Sequence, residues 1–171
     1  MHPYVIPRGF TLIELLVVIA IIGILSSIVL VSLGGARASG ADAGIKGNLD
    51  AIRKNGEMYA INNGSYGSQA TSTLSSVNCS GVNSGMWSNI TIRQAVANAE
   101  NQAGTPASGG IGSVAGVKSV CGSGPLYWAV AVILKTDNQS LWCVDSFGRA
   151  KIITYASIDG PAASEPFQGC N

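Results

Sequence analysis

The chain has 171 residues, of which only 11% are charged, with a formal net charge of +1 and four cysteines. Ordinary soluble domains carry about 25% charged residues; here the charge is sparse, and no basic run points to nucleic acid. The one histidine, His2, stands near the N-terminus, so the body of the chain has no imidazole for a triad, a general base or a histidine metal cluster.

Arg8 and Gly9 precede an apolar run from Phe10 to Leu33 that contains a single charge, Glu14. About 24 residues at about 1.5 Å each give a helix of roughly 36 Å, enough to cross a hydrocarbon core. A carboxylate in such a segment costs about 2.5–3.5 kcal/mol on insertion scales, which marks it as a functional residue with a partner. A secretory signal has an apolar region of about 7–15 residues followed by its cleavage site. Here the run is longer, and the Gly9-Phe10 junction comes before it. A plain single-pass anchor has no use for Glu14.

The stretch Gly9-Phe10-Thr11-Leu12-Ile13-Glu14-Leu15-Leu16-Val17-Val18-Ile19-Ala20-Ile21-Ile22-Gly23-Ile24-Leu25 resembles the class III signal of type IV pilins and pseudopilins. The resemblance implies that residues 1–9 are a leader, cut between Gly9 and Phe10 by a prepilin peptidase that also N-methylates Phe10. It further implies an assembly role for Glu14 and Thr11, with Glu14 paired to the N-terminus of a neighbouring subunit. The partners it implies are the peptidase, other copies and other pilins, the inner-membrane assembly platform and, before assembly, the lipid bilayer. The family's helix can melt around the position of Gly23. Its frequent proline eight residues on is Val31 here, so melting is not carried over.

Arg8 lies before the run, while Arg37 and Asp42 offset one another after it, which favours an N-terminus inside and the remainder outside. Loss of residues 1–9 removes Arg8 and no acid, leaving the mature chain neutral. Residues 10–34 form the membrane and assembly helix, and 35–64 are expected to continue it. There Ala41, Ile45, Leu49, Ile52, Gly56 and Tyr59 form one apolar face. Asp42, Lys46, Asp50 and Lys54 line the other with alternating sign, and Arg53 stands four from Glu57. Asn62-Asn63-Gly64 is a stop signal, and Asn63-Gly64-Ser65-Tyr66 resembles the end of the long pilin helix.

Residues 65–124 read as a variable loop rich in Ser, Gly, Asn and Thr. Ile90, Ile92, Ala95, Val96 and Ala99 fit one short amphipathic helix within it, capped near Ser88 or Asn89. Asn89-Ile90-Thr91 matches a glycosylation sequon of low specificity. Gly109-Gly110-Ile111-Gly112 lacks the strand and helix that a phosphate loop needs. Residues 125–171 read as a meander of about three strands, at 125–135, 141–147 and 151–156, ending in a loop that contains Gly160-Pro161 and Pro166.

Cys79, Cys121, Cys143 and Cys170 fall on the oxidising side and lack zinc-ligand spacing, so they read as two disulfides. Three connectivities are open. Cys79–Cys121 with Cys143–Cys170 is favoured because each closes a segment with few other means of fixing itself. Asp137, Asn138, Asp145 and Asp159 match no calcium-loop spacing, so no metal and no cofactor is expected.

The expected fold is α+β: a long N-terminal helix packed on a C-terminal antiparallel meander. The expected function is a structural subunit, not an enzyme, that polymerises into a type IV pilus-like filament after insertion in the inner membrane. The alternatives are a pseudopilin of a type II secretion or DNA-uptake system and, from another class, a membrane-anchored ligand-binding module.

Overall fold

The computed structural model describes residues 9–67, 70–71, 79–104, 116–154 and 169–170. Helix α1 runs without interruption over Leu12–Asn63, passing through Gly23 and the Gly34-Gly35 pair. A glycine costs a helix about 0.5–1 kcal/mol but leaves its hydrogen bonds in place, so these residues weaken the helix without ending it. Asn63 and Gly64 do end it. Gly64 takes a left-handed φ of 74°, its N–H bonds to Ala60 O at 2.8 Å, and Asn63 Nδ2 bonds to Tyr59 O at 2.8 Å.

The chain divides into two compact units, Met1–Arg37 and Ala38–Asn171. The second contains a five-stranded antiparallel sheet in sequential order: the two-residue β1 (Ala70–Thr71), then β2 (Ser119–Ser123), β3 (Trp128–Ile133), β4 (Ser140–Asp145) and β5 (Ala150–Thr154). The sheet therefore has one full strand more than the expected meander, because β2 falls within the segment read as loop. Its sequence, Ser-Val-Cys-Gly-Ser, has no apolar alternation, since all five residues are buried.

One face of the sheet carries Cys121, Trp128, Val130, Val132 and Val144. Against it pack Ile45, Leu49 and Ile52 of α1 and Ile92, Val96 and Ala99 of helix α2 (Ile90–Gln102). The opposite face buries Val120, Ala131, Ile133, Leu141, Cys143 and Ile153 with Cys170. This two-sided cover is why β3 is apolar on both faces. Asn89 caps α2, its side chain accepting the N–H groups of Thr91 at 3.0 Å and Ile92 at 3.3 Å. The residue of the sequon thus serves as a helix cap.

Each face also holds a disulfide. Cys79 bonds to Cys121 on the helix-covered side, with Cα atoms 5.8 Å apart. Cys143 bonds to Cys170 on the other, with Cα atoms 5.7 Å apart.

The charged face of α1 departs from its reading in two places. Asp42 is not part of a solvated stripe; it is buried, and it accepts the backbone N–H of Lys135 at 2.5 Å. Arg53 lies nearest Asp50, at 3.9 Å, while Glu57 accepts the phenol of Tyr66 at 2.9 Å. Lys54 bonds to Asp50 at 2.9 Å, and that bond holds the Asp50 carboxyl below the usual carboxylate range. Lys46 follows the expected pattern differently, with its ammonium 4.6 Å from the centre of the Trp142 ring.

Candidate assembly site

Among the described residues, the first unit has no core of its own. Its large apolar side chains stand open, from Phe10 at 85% and Leu12 at 80% to Leu30 at 71%. A Cβ built on Gly23, Gly34 or Gly35 would meet nothing within 4 Å, so packing within the chain does not require glycine there. α1 is long and apolar enough to cross a membrane. Ser27, a polar group within that stretch, donates its hydroxyl to Ile24 O at 2.7 Å, as a hydroxyl in hydrocarbon must.

Gly9, Phe10 and Thr11 are exposed and lie outside the helix, which begins at Leu12. The Gly9-Phe10 peptide is therefore presented on non-helical backbone. Just beyond it, one carboxylate oxygen of Glu14 accepts two bonds from Thr11. The Thr11 N–H reaches Oε2 at 2.8 Å, and the Thr11 hydroxyl reaches the same oxygen at 2.7 Å. In return, the Glu14 N–H points to Thr11 Oγ1 at 3.3 Å. This is a capping box, in which a Thr and a Glu three residues apart satisfy one another's orphan groups at a helix start. The spacing Thr-x-x-Glu ahead of an apolar run is a readable signal of it, and reading Glu14 only by its membrane cost passes over it.

The prokaryotic N-terminal methylation motif matches residues 7–30. This match, with the relative that follows, supports the resemblance of this segment to type IV pilins and pseudopilins. The chain is similar to the type IV wide pilus major component PilA4 of Thermus thermophilus, with 44% identity over 68 residues, covering 40% of this chain and 52% of that protein. The chain therefore matches about half the length of this pilin relative. No solved structure matches it.

The remaining candidates separate into structural roles. Asp145, fully buried, accepts the N–H groups of Phe147 and Arg149 through Oδ1, both at 3.0 Å, and that of Cys170 through Oδ2 at 3.1 Å. Its oxygens thus hold the β4–β5 turn and the Cys170 end of the chain. Asp137 closes the β3–β4 turn through Ser140 Oγ at 2.6 Å and Gln139 N at 3.0 Å, and these bonds lower its carboxyl. Asp159 and residues 109–112 lie outside the described residues.

Glu100 escaped the sequence reading. It is a buried carboxylate that accepts Ser80 N at 3.1 Å, Ser80 Oγ at 2.5 Å and Ser119 Oγ at 2.5 Å. Ser119 Oγ in turn accepts Cys79 N at 2.8 Å. This network ties α2 to the first disulfide.

Proposed function

We propose that the chain is a structural subunit of a type IV pilus-like filament. Residues 1–9 are its leader, cut between Gly9 and Phe10, with Phe10 then N-methylated. Residues 10–34 anchor it in the inner membrane, N-terminus inside, until assembly through Glu14 and Thr11 moves it into the polymer. The observation that carries this reading is one acid, Glu14, four positions after Phe10, in an apolar helical segment whose described side chains nothing in their own unit covers. Such a surface needs lipid or other subunits around it. Similarity to a pilus major component favours an extended filament over a short secretion pseudopilus.

The test is electron microscopy of sheared surface fractions with mass spectrometry of the filament protein. Filaments whose subunit begins at N-methylated Phe10 support the reading. A surface free of filaments, with the chain kept in the membrane fraction, overturns the pilus reading. A mature N-terminus other than Phe10 overturns the processing.

A further inference from the structure

Asp145 divides its two oxygens between a turn and a segment distant in sequence. Oδ1 accepts the N–H groups of Phe147 and Arg149, both at 3.0 Å, and Oδ2 accepts that of Cys170 at 3.1 Å. The Oδ1 bonds span two and four residues, so they form with the β4–β5 turn itself and fix the carboxylate without help from elsewhere. Asp145 shares a face of β4 with Cys143, two residues earlier, since alternate residues of a strand point the same way. It is fully buried, and a buried carboxylate oxygen left without a donor is costly. Cys170 supplies that donor. The Arg149 guanidinium holds the same residue from the other side, reaching Cys170 O at 3.4 Å while lying 3.8 Å from Asp145 Oδ2.

We infer that Asp145, Arg149 and Gly169 form a binding site for the chain's own Gly169-Cys170 peptide, which docks there before its disulfide closes and so directs Cys170 to Cys143. Gly169 sets the specificity. A Cβ built on it would lie 3.2 Å from Asp145 Oδ2 and 3.5 Å from Arg149 Nη1, so any side chain there would crowd the carboxylate as the next N–H approaches. The other cysteines follow residues with side chains: Asn78 before Cys79, Val120 before Cys121 and Trp142 before Cys143. Only Cys170 follows a glycine. Once docked, it has its Cα 5.7 Å from that of Cys143, within the range a disulfide spans. Closing the bond removes two electrons and two protons from the two thiols, and a disulfide oxidant accepts both and leaves as two thiols.

In the opposite order the disulfide forms first and draws the Cys170 N–H onto Asp145, and the carboxylate then has no part in pairing. The two orders differ in the reduced chain, where only the first keeps Cys170 in place. Substitutions separate docking from the turn. Asp145→Asn keeps one acceptor oxygen and turns an NH2 toward a donor, so it weakens both. Gly169→Val leaves the Oδ1 bonds of the turn intact and obstructs only the approach of the peptide. Cys79–Cys121 lies in the other core and serves as the reference pair.

The experiment equilibrates the full chain in detergent with graded mixtures of reduced and oxidised glutathione, traps free thiols by alkylation and reads both pairs by peptide mass spectrometry. This gives an effective concentration for each pair. Loss of one hydrogen bond to a charged group corresponds to about tenfold or more. Asp145→Asn and Gly169→Val are therefore each expected to lower the value for Cys143–Cys170 by at least about tenfold and to leave Cys79–Cys121 within about twofold. Unchanged values in both variants overturn the site. If Asp145→Asn lowers both pairs alike, the fold has loosened and Gly169→Val decides: a loss confined to Cys143–Cys170 supports docking, and no loss overturns it. The order is read from a Cys143→Ala chain by amide exchange. Slow exchange at Cys170, made faster by adding Asp145→Asn, supports docking ahead of the bond. Exchange at the unprotected rate, with the β3 amides still protected, overturns it.

Discussion

Asp42 of α1 holds the backbone of Lys135 across most of the sequence, accepting its N–H at 2.5 Å, and takes the Thr136 N–H at 3.3 Å and the Thr136 hydroxyl as well. A single carboxylate thus fixes the β3–β4 turn to the helix from which the sheet's cover begins.

That relationship predicts the effect of removing it. Asp42→Ala leaves two backbone donors and a hydroxyl without their acceptor in a half-buried site, at a cost of about 1–3 kcal/mol. Asp42→Asn keeps one acceptor oxygen and should lose less. Thermal unfolding of the full chain in detergent measures both. An Asp42→Ala midpoint equal to the parent's would mean that water replaces the carboxylate without loss.

The disulfides close loops of 42 and 27 residues, and all four cysteines are buried, in separate cores on the two faces of the sheet. Cys143→Ser and Cys79→Ser should each cost about 2–5 kcal/mol, as loss of a native disulfide does in small exported domains. The two losses should add, because the bonds share no packing partner. Peptide maps under non-reducing conditions check the pairing, and a Cys79–Cys143 peptide would overturn it.

Much of this architecture was legible in the sequence because its signals are local. The end of α1 at Asn63 follows from an Asn-Gly pair that favours a left-handed turn. The Asn89 cap of α2 and the strands β3, β4 and β5 follow from capping chemistry and apolar runs. Strand β2 was not legible, because its small residues are chosen by contacts distant in sequence: Ser119 donates to Glu100, Ser123 accepts the Trp87 indole at 3.1 Å, and Cys121 meets Cys79. Asp42 and Glu100 were hidden for a related reason. A charged residue reads as solvated until the N–H and O–H groups that compensate its burial are known. At the candidate site, the apolar run and its lone acid were plain, whereas the bonds between Thr11 and Glu14 needed both the Thr-x-x-Glu spacing and the helix start to be recognised together.

Tyr66 gives a prediction in pH. Burial pushes its phenol up to about 12, and the Glu57 carboxylate that accepts its proton at 2.9 Å acts in the same direction. An unfolded tyrosine titrates near 10. Below that pH both states keep the proton, and this group's titration does not change stability. Between about pH 10 and 12 the unfolded chain loses the proton while the folded chain retains it, so rising pH favours unfolding. Tyr66→Phe should start from a lower stability, having lost the bond to Glu57, but should decline less steeply over that window. Melting temperatures of both proteins from pH 8 to 12 test this, and parallel curves would show that Tyr66 does not set the alkaline slope.

The processing and assembly steps are expected to separate at Gly9 and Glu14. Gly9→Val places a branched side chain beside the peptide to be cut, where glycine offers no obstruction, so the chain should accumulate with its leader attached. Glu14→Leu has a different consequence. It removes a carboxylate whose insertion costs about 2.5–3.5 kcal/mol at mid-membrane, and less near a helix end. It also dissolves the capping box with Thr11, a loss of about 1 kcal/mol at the helix start. The balance favours a chain that is retained in the membrane and cut normally. On the proposed pairing it lacks the carboxylate that would receive a neighbour's amine, so filaments should be absent. Mass spectrometry of membrane and sheared fractions distinguishes the two variants: leader-bearing chain for Gly9→Val, and chain beginning at Phe10 but confined to the membrane for Glu14→Leu. Filaments built from Glu14→Leu subunits at parental number would show that apolar packing alone sets the register of the polymer.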